Sequence, residues 1–238
     1  AANGAMHWAA DTGDMALQSR AGTAMVMLIT LLMTIMAGRV VPMFTANGTG
    51  TPRVADVGWL EKLALVSMLA CVLLAMQWPG VPPGLLATCF FLAAGAHAVR
   101  GLRWRFWVTL RTPLVWSLHL SYLCIPLGLL LYGLSAVTTL VNPSQAIHTL
   151  TVGAMGLLIL AMISRVSLGH TGRPLQVGGA MTAAFALLFG AFLVRVFGDY
   201  WLDNHVLVIT AAAALWAVAY GCFVVRYWPV LTSPRLDG

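Results

Sequence analysis

The sequence is poorest in charge. Among its 238 residues are 13 Lys and Arg and only seven Asp and Glu. A soluble globular chain of this length carries roughly 60 charged residues, at the usual ~25%. With 60% of its residues hydrophobic and 8% charged, the chain cannot cover a water-soluble fold with polar surface. The same figures exclude disorder, a collagen-like chain and a coiled coil. Acidic residues are absent from the long apolar runs except for Glu61 at one edge. That disfavours a carboxylate proton relay, a sodium-coupled carboxylate site and hard-cation sites for magnesium or calcium. The four cysteines, Cys71, Cys89, Cys124 and Cys222, form no CxxC and no CxxCH, so neither a dithiol motif nor covalent haem attachment is encoded. Buried apolar thiols are their simplest reading. What remains is a chain whose solvent is the bilayer.

What is present is a series of uncharged runs, and the rare charges punctuate them. Arg20 to Arg39 encloses 18 residues, Lys62 to Arg100 encloses 37, Arg111 to Arg165 encloses 53, Arg173 to Arg195 encloses 21, and Asp203 to Arg226 encloses 22. The second run is broken by Trp78-Pro79-Gly80-Val81-Pro82-Pro83-Gly84 and the third by Asn142-Pro143-Ser144. At ~20 apolar residues per membrane helix, the runs hold one, two, two, one and one spans. The expectation is therefore an all-α, polytopic bundle of about seven transmembrane helices near 21–40, 59–78, 84–101, 113–134, 145–167, 178–198 and 205–226. The apolar runs are continuous rather than alternating, which favours helices over a barrel. Residues 1–20 read as an outer polar segment, 21–226 as the membrane domain and 227–238 as an inner tail. The first run lacks the flanks of a signal peptide, and the chain starts with Ala, so 21–40 reads as a true span of a chain that begins upstream.

Seven spans place eleven basic residues on one side and only Arg20 and Arg195 on the other. The positive-inside rule then puts the C-terminus in the cytoplasm. The formal charge of +6 is thus explained by topology, with the lipid bilayer as the implied partner; no nucleic-acid motif is present. Trp104, Trp107, Trp116, Trp201 and Trp228 flank the spans, as an interfacial aromatic belt requires. The scattered methionines read as core filling.

Ionisable side chains at membrane depth are candidates for function. His7 lies in the outer segment, and His205 opens the last span in an interfacial or capping position. Four others matter more. His97 is near the inner end of the third span, one turn before Arg100. His119 lies about 9 Å inside the fourth span at 1.5 Å per residue. His148 is one turn inside the outer end of the fifth, and His170 is in the glycine-bracketed loop Leu168-Gly169-His170-Thr171-Gly172-Arg173-Pro174. Each can be a hydrogen-bonded structural residue, or a ligand, since neutral imidazole binds haem iron and copper. Straight helices put His97, His119 and His170 in the same half of the bilayer and His148 in the other. Arg39, Arg100, Arg165 and Arg173 end spans at the inner side. They read either as snorkelling anchors or as guanidinium partners of an anion such as a haem propionate.

Several of these residues sit in extended motifs: Gly38-Arg39-Val40-Val41-Pro42-Met43-Phe44-Thr45, His97-Ala98-Val99-Arg100 with Trp104, Pro113-Leu114-Val115-Trp116-Ser117-Leu118-His119-Leu120-Ser121-Tyr122, His148-Thr149-Leu150-Thr151-Val152-Gly153-Ala154-Met155-Gly156, and Ser164-Arg165-Val166-Ser167-Leu168-Gly169-His170-Thr171-Gly172-Arg173-Pro174-Leu175. In content and order they resemble the NnrS family of bacterial inner-membrane proteins, over 38–175. The resemblance implies a haem- and copper-containing protein of the nitric oxide and nitrosative-stress response. It implies His97, His119, His148 and His170 as metal ligands, Arg39, Arg100, Arg165 and Arg173 as further cofactor-binding residues, and a longer family chain of which this is the C-terminal portion. Two alternatives stand beside it. One is a transporter or sensor without redox chemistry, with the broken ends 38–42 and 169–174 lining a path. The other is a cytochrome b-like electron carrier with two axial histidines at equal depth and a redox partner still to be identified. A terminal oxidase is disfavoured, because its adjacent His-His copper motif is missing. The sequence leaves catalytic turnover open.

Overall fold

The structure, a computed structural model, describes residues 4, 6, 13–76 and 81–236. His7 and the Trp78-Pro79-Gly80 part of the breaker in the second run lie outside these residues. The described chain forms seven long helices: α1 (Met15–Thr49), α2 (Gly58–Ala75), α3 (Pro83–Arg103), α4 (Pro113–Val137), α5 (Pro143–His170), α6 (Gly179–Phe197) and α7 (His205–Thr232). All seven are long and apolar enough to cross a membrane. The fold is an all-α bundle of the multi-pass membrane type.

Local chemistry sets the helix ends. Asp14 accepts a hydrogen bond from the Leu17 amide and starts α1, and Asn204 does the same for α7 through the Leu207 amide. Asn142 and Gln145 form a reciprocal capping box at the start of α5, satisfying two free amides at once. Pro83, Pro113 and Pro143 occupy first-turn positions, where the missing N–H costs nothing and φ is already helical. Two helices run well past the expected spans. Met15–Arg20 are already helical, α1 continues nine residues beyond Val40, and α7 continues through Thr232. Charges mark the limits of hydrocarbon, whereas a helix ends only where its backbone is capped.

Consecutive helices pack antiparallel, and α4 is the hub, touching α1, α3, α5 and α6. It is the most buried of the seven and α7 the least. Apolar residues that face outward, such as Leu32, Leu73, Leu92 and Val225, suit a lipid surface. Close approach depends on small residues, as in membrane bundles generally. A Cβ at Gly128 would lie 2.6 Å from Leu150 Cδ2, and one at Gly153 would lie 2.9 Å from Phe192 Cδ2 and 3.0 Å from Cys124 Sγ. In the middle of α5, residues Thr149–Gly156 form a π-helical stretch. The Gly156 carbonyl accepts a hydrogen bond from Tyr220 on α7 at 2.9 Å. Wide turns of this kind concentrate at functional sites, and this one follows His148 directly. The cysteines form no disulfide; Cys71 and Cys124 are buried.

Candidate functional site

His97 and Arg100 are one turn apart on α3 and project from the same face. Both reach Tyr122 on α4: His97 Nδ1 lies 2.8 Å from its hydroxyl, and Arg100 Nη1 donates to it at 3.3 Å. Arg100 also donates through Nη1 to the Thr34 carbonyl of α1 at 2.9 Å and through Nε to Glu61 of α2 at 2.9 Å, and its Nη2 forms an ion pair with the second Glu61 oxygen. One guanidinium therefore ties four helices together. Its side chain is 3% exposed against 26% for Glu61, so the pair is buried on one side and hydrated on the other.

Gly38 explains how α1 fits. A Cβ there would fall on the Arg100 guanidinium, 2.9 Å from Cζ. The Gly38-Arg39-Val40-Val41-Pro42 motif is thus a packing surface: glycine admits the arginine, Pro42 stays inside the helix, and Arg39 points outward and is exposed.

His119, one turn before Tyr122, is 3% exposed. Its Nε2 lies 2.7 Å from Thr45 Oγ1 on α1, and the Thr45 hydroxyl donates its only proton to the Val41 carbonyl at 2.8 Å. With the Thr45 proton assigned to Val41, the hydroxyl accepts from Nε2–H, which gives the Nε2–H tautomer with the lone pair on Nδ1. The same ring lines an apolar cavity of about 330 Å³, walled by Phe106, Leu110, Trp116, Leu120 and Leu123. Trp104 links His119 to the Tyr122 that holds His97. It packs on Tyr122 at 4.4 Å and on His119 at 6.5 Å between ring centroids, and Arg100 Cζ lies 5.3 Å from its ring. The expected belt position of Trp104 is therefore corrected: it is 4% exposed and part of the core, while Trp107, Trp201 and Trp228 are exposed.

His97 Nε2 is buried with no hydrogen-bond partner; the Ala64 carbonyl of α2 faces the ring. With Nδ1 held by Tyr122, His97 is wedged into the helix interface.

The other two histidines stand elsewhere. His148 is half-buried at the opposite end of the bundle, bonded within its own helix to the Ser144 carbonyl at 2.7 Å. His170 is the last residue of α5 and is exposed. The loop around it is a helix stop. Gly172 takes φ +67, the Arg173 amide donates to the Leu168 carbonyl at 2.9 Å, and the Gly172 amide donates to Gly169 at 3.3 Å. That is a Schellman motif, with Pro174 blocking continuation. His205 pairs with Asp199 at 2.9 Å. Among the described residues no three His, Cys, Asp or Glu side chains lie close enough to hold a metal ion. His97 and His119 thus share one aromatic cluster, and His148 and His170 do not join it.

Of the arginines, Arg100 is in the cluster, Arg39 is exposed and Arg173 is half-buried beside the α5 stop. Arg165 is 8% exposed, stacked at 3.7 Å over the Phe44 ring of α1. Glu61, Thr45 and Trp104 were named in the sequence but not proposed as site residues. Glu61 carried a usable signal, being the lone acid at a span edge with a buried arginine to neutralise.

The family description that matches the chain is that of the NnrS protein, over residues 1–235. Comparison with curated proteins and with solved structures gives no match.

Proposed function

The chain belongs to the NnrS family, and on that premise we propose a multi-pass protein of the bacterial inner (plasma) membrane that binds haem through His119 and acts in the response to nitric oxide and nitrosative stress. The observation that carries the reading is the state of His119. Thr45 holds Nε2–H, which leaves Nδ1 as a lone-pair donor on a ring that lines an apolar cavity. An apolar pocket with one imidazole lone pair beside it supplies the kind of axial donor that haem iron uses. Bound there, haem iron supplies a site where nitric oxide coordinates and through which electrons pass. Thr45 fixes the tautomer, Trp104 fixes the ring plane, and the apolar wall excludes water.

His97 Nδ1 is held by Tyr122, and its Nε2 is buried without a hydrogen-bond partner. Among the described residues no three-ligand set assembles, and the copper that the family resemblance implies is assigned to no residue here. A transporter reading loses its support too: 38–42 is a helical packing surface and 169–174 a helix stop. The basic end of the bundle is assigned to the cytoplasm on charge asymmetry, with the lipid bilayer and an unnamed redox donor as partners.

The test is spectroscopic. Purified full-length protein is expected to show a Soret band that shifts on adding nitric oxide to the reduced form. His119→Ala should lose most of the bound haem while His170→Ala keeps it. Equal haem content in wild type and His119→Ala would overturn the assignment.

A further inference from the structure

At the basic end, between the last turns of α1, the first turn of α4, the end of α5 and the following loop, lies a cavity of about 510 Å³. Arg111 and Arg165 both line it, with Asn47 and Gln176, and no carboxylate does. Arg165 is 92% buried by the 8% exposure given above. It forms no ion pair and no hydrogen bond among the described residues; its one contact of note is the Phe44 face. A face contact uses none of the five N–H donors, which lie in the guanidinium plane. A buried, uncompensated charge is strongly unfavourable unless something neutralises it. The sister arginine Arg100 shows the contrast, with its carboxylate, carbonyl and hydroxyl partners all supplied by the chain.

Two further features favour an anion. The first turn of α4 forms part of the wall through Pro113 and Leu114, and its N-cap Thr112 makes no side-chain capping bond. Pro113 has no N–H, and the Val115 and Trp116 amides donate to the Thr112 carbonyl, so the Leu114 amide and the positive dipole end are what this turn offers. Arg111 precedes that turn directly and is exposed, so it is free to close over a ligand.

We propose that this cavity is an oxyanion site for a phosphate group, gripped by Arg165 from below and Arg111 from the rim. Two guanidinium groups and a helix N-terminus suit a divalent anion. The volume exceeds that of the ion alone and leaves room for an organic substituent. That chemistry has two sources, a free phosphate compound or the headgroup of a phospholipid. The site is separate from the His119 cavity and does not depend on haem.

The full chain, purified in detergent and stripped of lipid, is titrated with inorganic phosphate, and lipid phosphorus per chain is measured before stripping. A free-phosphate site gives saturable binding near one per chain, weakened about tenfold or more by Arg165→Gln and by Arg111→Gln, as expected for loss of a charged hydrogen bond. A lipid site gives no phosphate binding but one phospholipid retained per chain, lost in both variants. Arg53→Gln, at the same end, leaves either result unchanged. Arg111 is exposed, so its variant keeps the test valid if Arg165→Gln fails to fold. Neither phosphate binding nor retained lipid in the wild type, or binding that both variants leave intact, overturns the proposal.

Discussion

The Arg100–Glu61 pair can be tested by an asymmetry. Replacing Glu61 by Leu leaves a guanidinium whose side chain is 3% exposed still bonded to Thr34 and Tyr122 but stripped of its counter-charge. Breaking a buried pair in this way costs about 3–5 kcal/mol. Replacing Arg100 by Met instead leaves Glu61, which is 26% exposed and sits in the first turn of α2. There it can rehydrate, and the positive end of the helix favours it, so the cost should be about 1–3 kcal/mol, close to that of losing hydrogen bonds to a charged group. The double variant Glu61→Leu with Arg100→Met replaces both charges by apolar groups and should recover most of the loss. At about 2–4 °C per kcal/mol for a chain of this size, Glu61→Leu should lower the thermal midpoint in detergent by on the order of 10 °C, and Arg100→Met by about half as much. Midpoints are read from the loss of helical circular dichroism. Equal effects of the two single changes, or a double variant as unstable as the sum of both, would refute the view that the buried guanidinium is the costly partner.

Two further outcomes follow from contacts around the same cluster. Gly38→Ala puts a methyl into the Arg100 guanidinium, so it should destabilise the wild type by about 1–3 kcal/mol yet cost little in the Arg100→Met background; the same thermal measurement checks this double-mutant cycle. Thr45→Val removes the acceptor of His119 Nε2–H at nearly constant volume, so haem retention should fall severalfold, in the range seen when a partner of a metal-ligating histidine is lost. A haem content matching wild type would show that Thr45 does not orient the ring.

The seven helices were legible because membrane spans announce themselves by missing charge, and the runs between Arg20 and Arg226 are long enough to count. Their ends were less so. Arg39 interrupts the apolar run but sits ten residues before the end of α1, because a side chain that reaches solvent need not stop a helix. His97 and Arg100 on one helical face could be read from their spacing. That Tyr122 receives both could not, since it depends on how α3 meets α4. The stop after His170 was readable in the Gly-x-x-Gly-Arg-Pro order, which carries the αL residue and the helix breaker in sequence. The separation of two motif histidines was legible from depth: His148 and His170 lie toward opposite ends of α5, which spans about 42 Å at 1.5 Å per residue. The π-helical stretch leaves no mark in composition.

The ion pair also bears on how the chain enters the bilayer. A lone arginine in a spanning segment opposes insertion by up to about 2.5–3.5 kcal/mol at the helix centre, and less toward the ends. Glu61 and Arg100 lie on consecutive helices at the same end of the bundle. If α2 and α3 leave the insertion machinery together as a hairpin, each charge arrives already neutralised. Tyr122, on α4, emerges later and closes the cluster over a pair that has formed. The order of synthesis thus matches the order in which the contacts become favourable, and the hairpin of α2 and α3 is the natural unit of assembly for this part of the protein.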